Sequence, residues 1–116
     1  MGKCLFLYNP LSGKGKIVKN EEKIVKDLSQ KYEVEVCRSQ HPGHIGELII
    51  EKGNDVDLIV VAGGDGTLNE AINSIMRLGK KVKLGYIPTG TVNDVAHSLG
   101  IPRNIKKAVK NILEGE

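Results

Sequence analysis

The fold is decided by the run Asp57-Leu58-Ile59-Val60-Val61-Ala62-Gly63-Gly64-Asp65-Gly66-Thr67. Its first half is apolar without interruption, which is typical of a central strand in a parallel sheet that is covered on both faces. Apolar residues then recur at helical spacing from Leu68 to Leu78. The run therefore predicts a buried strand, a glycine-rich loop at residues 63–67 and an amphipathic helix, in that order.

Similar units lie on both sides of this run. Strands are predicted at residues 4–8, 34–37 and 84–87, and helices at residues 15–32, 45–53, 93–99 and 105–113. Thr67 and Glu70 have the spacing of a capping box, so the helix after the glycine-rich loop is expected to begin at Thr67 and to end near Gly79. Strands that alternate with helices favour parallel pairing and right-handed crossovers. The predicted fold is α/β, a three-layer Rossmann-like parallel sheet.

Composition narrows the class of protein. The chain has 116 residues, of which 40% are hydrophobic and 27% charged, as in a single globular domain. Aromatic residues make up 3%, too few for a nucleic-acid surface built on base stacking. The net charge of +3 fits a solvated surface as well as a polyphosphate or anionic membrane partner.

Location is predicted from the same sequence. Cys4 and Cys37 lie in apolar runs and are expected to be reduced, buried thiols. The N-terminal residues do not form a signal-peptide pattern, and no apolar run approaches the roughly 20 residues of a membrane span. We expect a cytoplasmic protein whose membrane contact, at the inner face, is peripheral.

Three unusual segments follow predicted strands, at residues 9–15, 63–67 and 88–94. The carboxyl ends of parallel strands share one edge of the sheet, where ligands of such folds bind. Glycine allows close backbone approach and positive φ, and the following helix presents its amides and dipole to phosphate. Asp65 would repel bare phosphate, so we expect it to act through Mg²⁺ or to hold the loop by hydrogen bonds. A tight turn with a capping carboxylate is the alternative.

The flanking segments are less specific. Gly13-Lys14-Gly15-Lys16 fails the P-loop pattern because Ile17 takes the place of the metal-binding hydroxyl. Ser12 is expected to touch phosphate, while Lys14 and Lys16 can equally be solvated. Asn93 or Asp94 can cap a short helix. The three histidines, His41, His44 and His97, are expected to be structural or exposed, since their spacing does not support a zinc site.

Three blocks of sequence together resemble the diacylglycerol kinase catalytic domain, in its bacterial branch. They are Asn9-Pro10-Leu11-Ser12-Gly13, Gly63-Gly64-Asp65-Gly66-Thr67-Leu68-Asn69-Glu70 and Pro88-Thr89-Gly90-Thr91-Val92-Asn93-Asp94-Val95-Ala96. The resemblance implies ATP and Mg²⁺ as cofactors. It assigns the ATP phosphates to Gly63, Gly64, Asp65, Gly66, Thr67, Leu68 and Asn69. It also assigns nucleotide contacts to Asn9, Ser12, Ser39, Thr91 and Asp94, whereas His97 replaces an arginine that is common in the family.

The resemblance also implies an activity, the transfer of the γ-phosphoryl group of ATP to a lipid hydroxyl, with diacylglycerol as acceptor and phosphatidic acid as product. Residues 1–116 would form the N-terminal nucleotide-binding domain. A β-rich second domain, expected to supply the catalytic base and to help bind Mg²⁺ and lipid, is absent, so this chain alone is expected to be inactive. A soluble-substrate kinase similar to NAD kinases and a non-catalytic nucleotide-binding module are the alternatives. A nucleic-acid partner is not expected, and a homodimer is left open.

Overall fold

The computed structural model describes residues 2–11, 16–79 and 81–88. Its four strands are β1 (Gly2–Tyr8), β2 (Tyr32–Arg38), β3 (Leu58–Gly63) and β4 (Lys83–Pro88). Its helices are α1 (Lys16–Leu28), α2 (His44–Lys52) and α3 (Asp65–Met76), with a 3-10 turn at Gly53–Asp55 after α2. The helices predicted at residues 93–99 and 105–113 lie outside the described residues.

All strand pairs are parallel, and the strand order is β2-β1-β3-β4. The chain moves from β1 to one side for β2 and then crosses to the other side of β1 for β3. This reversal makes the gap between β1 and β3 the switch point of the sheet, where helices diverge and a crevice opens beyond the carboxyl ends. Tyr8 is paired with Ala62 there, so Asn9 and Gly63 are the residues that follow the last β1–β3 pair.

Alternate residues of the central strands face two separate cores. Cys4, Phe6 and Tyr8 of β1 pack with α1 on one face, and Leu5 and Leu7 pack with α2 and α3 on the other. Every residue of β3 is buried, as the unbroken apolar run predicts. These layers confirm the predicted three-layer α/β fold. Within the described chain, none of the helices has the length and apolar character required to cross a bilayer.

The first helix is shorter than predicted. It ends at Leu28, and Tyr32 is the first residue of β2 rather than part of the helix. Beyond Leu28 the bonds shift to the tighter i→i−3 pattern, with the amides of Gln30 and Lys31 donating to Asp27 and Leu28. Tyr32 stands four residues after Leu28 and packs into the same core cluster, so its apolar character continued the helical pattern by coincidence.

Both cysteines are free thiols, but only Cys4 is buried as predicted. Cys37 is half-buried near the carboxyl end of edge strand β2. Burial, and to a lesser extent the Glu35 carboxylate, raises the pKa of the Cys37 thiol. A raised pKa disfavours the thiolate, so Cys37 is not a candidate nucleophile.

Candidate functional site

A cleft of about 660 Å³ lies beyond the carboxyl ends of β1 and β2, against the first turns of α2 and α3. It is lined by Asn9, Pro10, Leu11, Ser39, Gln40, His41, Pro42, Gly43, Ile45, Thr67 and Glu70. The lining therefore includes three of the predicted site residues: Asn9 after β1, Ser39 after β2 and Thr67 in the first turn of α3. Convergence of this kind is what the shared edge of a parallel sheet provides.

The predicted glycine-rich loop is almost absent as a loop. Gly63 is the last residue of β3 and Asp65 is the first of α3, so Gly64 alone connects them. Its backbone is extended, with φ −92° and ψ −170°. Thr67 lies in the first turn of the helix, so the predicted helix start and capping box at Thr67 are wrong. The strand can pass directly into the helix because Gly64 makes the whole change of direction.

The amino end of α3 has backbone amides without an acceptor inside the helix. The Leu68 amide donates to the Gly64 carbonyl at 3.1 Å, while the amides of the preceding turn have no acceptor within a helix. The cap residue is Gly64, which has no side chain to accept a hydrogen bond from these amides. An uncapped helix start carries a partial positive charge and free N–H groups, which together favour an anion.

The three glycines of residues 63–66 serve different purposes. A Cβ on Gly63 would lie 2.7 Å from Oγ1 and 2.8 Å from Cβ of Thr67, so Gly63 is required by packing inside the protein. A Cβ on Gly64 or Gly66 would meet nothing within 4 Å. In the described chain positive φ occurs at Gly43 and not at these glycines. Gly64 and Gly66 thus leave open space beside the free amides.

Glu70 connects α3 to α2. Its Oε2 accepts a hydrogen bond of 2.6 Å from the Gly46 amide in the first turn of α2. The two helices are close enough that a Cβ on Gly46 would lie 2.8 Å from Ser74 Oγ. Glu70 therefore stabilises the amino end of a neighbouring helix, both by the hydrogen bond and by its charge.

We predict that Glu70→Ala lowers the free energy of unfolding by about 1–2 kcal/mol, since a part-buried amide loses a charged acceptor. Glu70→Gln keeps an acceptor oxygen and should recover part of the loss. Asn73→Ala, an exposed change on the same helix, is the control and should be neutral or slightly stabilising. Urea unfolding measures all three, and equal stability of Glu70→Ala and Asn73→Ala would contradict the contact.

Asp65 is exposed at the start of α3, and its charge acts on Tyr86 of β4. The Tyr86 hydroxyl of β4 donates to the Gly63 carbonyl at 2.8 Å. Burial chiefly, and then the negative charge of Asp65, raises the pKa of Tyr86. Tyr86 thus fixes the end of β3 from the side. It was not among the predicted site residues, although its place one residue before Ile87 in a predicted strand puts it near this edge.

Asn9 and Ser39 hold the opposite wall. Asn9 Oδ1 accepts a hydrogen bond of 2.9 Å from the Leu11 amide, an Asx turn that bends the chain away from β1. The Ser39 amide donates to the Tyr8 carbonyl at 2.9 Å and continues the β1–β2 pairing past the strand ends. Both residues therefore have a structural role, and both also line the cleft.

A part-buried hydrogen-bond network that was not predicted from the sequence stabilises the cleft wall formed by the ends of β1 and β2. The Arg38 guanidinium donates to both Glu21 carboxylate oxygens at 2.8–2.9 Å and to the Tyr8 hydroxyl at 3.0 Å, and that hydroxyl donates to Glu21. Burial, followed by the bond to Glu21, raises the pKa of Tyr8. The network ties α1 to the carboxyl ends of β1 and β2. Sequence spacing gives little signal for it because its members lie in three separate elements.

The remaining predicted site residues are divided. Leu68 is half-buried and Asn69 exposed on α3, and neither is among the described residues that line the cleft. Gly63, Gly64, Asp65 and Gly66 come immediately before Thr67 and form the uncapped helix start rather than the cleft wall. Ser12, Thr91 and Asp94 lie outside the described residues.

Comparisons with known proteins agree with this architecture. The family model of the diacylglycerol kinase catalytic domain matches residues 3–116. A diacylglycerol kinase of Staphylococcus carnosus is 40% identical over 114 residues, covering 94% of this chain and 36% of that protein. A diacylglycerol kinase of Bacillus subtilis is 36% identical over 118 residues, covering 99% of this chain and 39% of that protein.

Solved structures give the same result. A crystal structure of a diacylglycerol kinase from Bacillus anthracis superposes with a TM-score of 0.80 at 35% identity, covering 99% of this chain and 43% of that one. The chain thus spans about two fifths of the length of the relatives that it matches. By the family match over nearly its whole length, this chain belongs to the diacylglycerol kinase catalytic domain family.

Proposed function

We propose that this chain is the nucleotide-binding domain of a lipid kinase and that it binds ATP at the junction of β3 and α3. The observation that carries the proposal is the uncapped start of α3 at the switch point of the sheet, directly beside a 660 Å³ cleft. A phosphate chain and a nucleoside need adjacent sites of these two kinds. A cleft of this volume is within the range of small-molecule sites.

The residues fit ATP in character. Its phosphates would accept hydrogen bonds from the amides of the first turn of α3, where Gly64 and Gly66 leave the space that a Cβ would fill. Its nucleoside would occupy the cleft among Asn9, Ser39 and Thr67. Within the proposal, Ser12, Thr91 and Asp94 complete the nucleotide contacts, and Leu68 and Asn69 support the helix behind the phosphates.

Asp65 fits a role through Mg²⁺. The ion prefers oxygen ligands, retains several waters and is commonly held by one or two carboxylates together with substrate phosphates. An exposed carboxylate on the first residue of a phosphate-binding helix meets that description. When bound, Mg²⁺ neutralises charge on the phosphates. Without it, Asp65 would oppose the anion that the helix start favours.

The acceptor is proposed to be the hydroxyl of a diacylglycerol, which would give phosphatidic acid. The names of the relatives support this choice, and this chain corresponds to 36–39% of their length. We propose that a β-rich second domain of the parent protein supplies the catalytic base and the lipid contacts, and that the parent is a cytoplasmic protein acting peripherally at the inner membrane face. Phosphoryl transfer needs both substrates held together, so this chain alone should turn over little.

Calorimetric titration of this chain with Mg-ATP tests the proposal, and one site per chain is the expected result. An assay of the full-length parent with labelled ATP and diacylglycerol vesicles should then place label in the organic phase. Label in NADP would instead identify a soluble-substrate kinase. Saturable binding without any turnover by the parent would identify a non-catalytic module.

Asp65→Ala in the full-length parent is expected to lower the rate of lipid phosphorylation at least about ten-fold. Without the carboxylate, the Mg²⁺ ion that neutralises the charge on the phosphates would lose a ligand. Asp55→Ala removes another exposed carboxylate and serves as the control. Asp55 lies in the turn before the amino end of β3, whereas Asp65 follows its carboxyl end. Initial rates at saturating Mg²⁺ measure both. Unchanged turnover by the Asp65 variant would remove Asp65 from the site.

A further inference from the structure

Two imidazoles and a carboxylate meet at the turn that leads into α2. His41, His44 and Glu47 form this His–Glu cluster, in which one ligand atom of each residue lies within 4.8 Å of the others. The His44 amide donates to the His41 carbonyl at 3.1 Å, so the turn runs into the helix and residues three apart share one side. The histidine spacing alone did not indicate a metal site, because the third ligand is Glu47.

His41 is already oriented as a metal ligand. Its Nδ1 lies 2.9 Å from the Pro42 carbonyl oxygen, which can only accept, so Nδ1 carries the proton. In the neutral imidazole the lone pair is then on Nε2, which is 3.8 Å from Glu47 Oε1. A backbone carbonyl that fixes the tautomer of an imidazole is the usual outer contact of a metal-bound histidine.

We propose that the His–Glu cluster binds one divalent transition-metal ion, with Zn²⁺ as the best fit. Two imidazoles and one carboxylate are a common ligand set for zinc, with water completing the coordination. Mg²⁺ prefers oxygen ligands, so this site is chemically distinct from a metal carried by ATP. His41 and Glu47 are exposed and His44 is partly so, which leaves an open path for the ion.

Zinc binding has a structural consequence at the cleft. The two rings are stacked, with centroids 4.5 Å apart and planes inclined by 17°. A lone pair lies in the plane of its ring, so nearly parallel stacked rings cannot both point at one ion. The His44 ring must therefore turn when the metal binds.

Metal binding by His44 also removes a specific hydrogen bond. His44 Nδ1 accepts from the Gln40 amide at 2.9 Å. If Nε2 binds the metal, Nδ1 carries the proton and cannot accept; if Nδ1 binds, its lone pair is occupied. In either case the Gln40 amide loses its acceptor. Because Gln40 lines the cleft, zinc occupancy removes one hydrogen bond from the cleft wall.

Titration of the chain with Zn²⁺ by calorimetry, and with Co²⁺ by visible absorption, tests the site. We expect one ion bound per chain with micromolar affinity. Bound Co²⁺ should give a visible absorption spectrum typical of mixed nitrogen and oxygen ligands in a coordination shell of low symmetry. His41→Ala, His44→Ala and Glu47→Ala should each weaken binding at least about ten-fold. Glu51→Ala, an exposed carboxylate one turn further along α2, should bind as the unaltered chain does.

Hydrogen exchange provides a readout independent of affinity. Addition of Zn²⁺ should increase exchange at the Gln40 amide, while the Ser39 amide, which donates to the Tyr8 carbonyl, stays protected. Circular dichroism of each variant confirms that the helices persist. The proposal is overturned by absence of binding at millimolar Zn²⁺, by affinity that survives all three substitutions, or by zinc binding that leaves the Gln40 amide protected.

Discussion

Valine in place of Gly64 is expected to leave the fold intact and to weaken the binding of Mg-ATP about 100-fold. The backbone of Gly64, at φ −92° and ψ −170°, is in the extended region that all L residues adopt. A Cβ there meets nothing within 4 Å, so the first atom of the new side chain is accommodated without a clash. The added methyl groups would occupy the space in front of the α3 amides. Loss of two hydrogen bonds from these amides to phosphate corresponds to about 3 kcal/mol of binding free energy, which is about 100-fold in affinity.

The control for this change is Gly79→Val. A Cβ on Gly79 would also meet nothing within 4 Å, and the residue lies after the end of α3, away from its amino end. Calorimetry with Mg-ATP and thermal unfolding of both variants separate binding from stability. Equal affinity for the two variants would mean that phosphate does not bind in front of Gly64, and the proposed function would need another site.

Alanine in place of Gly63 is expected to have the opposite effect, lowering the free energy of unfolding by about 2–3 kcal/mol. Its Cβ would lie 2.7 Å from Oγ1, 2.8 Å from Cβ and 3.0 Å from Cγ2 of Thr67. A new rotamer of Thr67 moves its γ atoms but not its Cβ, which is attached to the α3 backbone. Relief therefore requires β3 and α3 to move apart at the point where they are joined.

A double-mutant cycle tests this cause. Thr67→Gly removes every clashing atom and by itself should cost less than about 1 kcal/mol, because glycine lies about 1 kcal/mol below alanine in helix propensity and threonine is also a poor helix former. The double variant should lose less than the sum of the single losses, by at least about 1 kcal/mol. Urea unfolding supplies the four values. Additive losses would show that Gly63 is required for a reason other than Thr67.

Most of the architecture was predictable because the burial of a strand or helix requires a local pattern of apolar residues in the sequence. The unbroken apolar run at β3 and the helical spacing after it correspond to a strand buried on both faces and a helix covering it. The predicted strands agree with β1 to β4 to within about two residues at each end. Tyr32 shows the limit, since one apolar residue at helical spacing belonged to the next strand.

The candidate site was predictable only in part. Asn9, Ser39 and Thr67 follow from their places at strand ends, and the structure brings them to one cleft. The capping box at Thr67 and Glu70 was wrong because spacing along one helix cannot show that Glu70 has a better partner, the Gly46 amide, on another. Tyr86 and the Tyr8–Glu21–Arg38 network were missed for the same reason.

The sequence by itself determined the kinds of element, their order and the edge of the sheet at which the glycine segment lies, since these depend on local periodicity and chain direction. Only the tertiary structure decided that β3 lies beside β1, which opens the switch point in front of residues 63–67. It also decided what each glycine is for, with Gly63 accommodating Thr67 and Gly64 facing open space. Such contacts depend on strand pairing and helix packing between distant residues, and local patterns do not encode them.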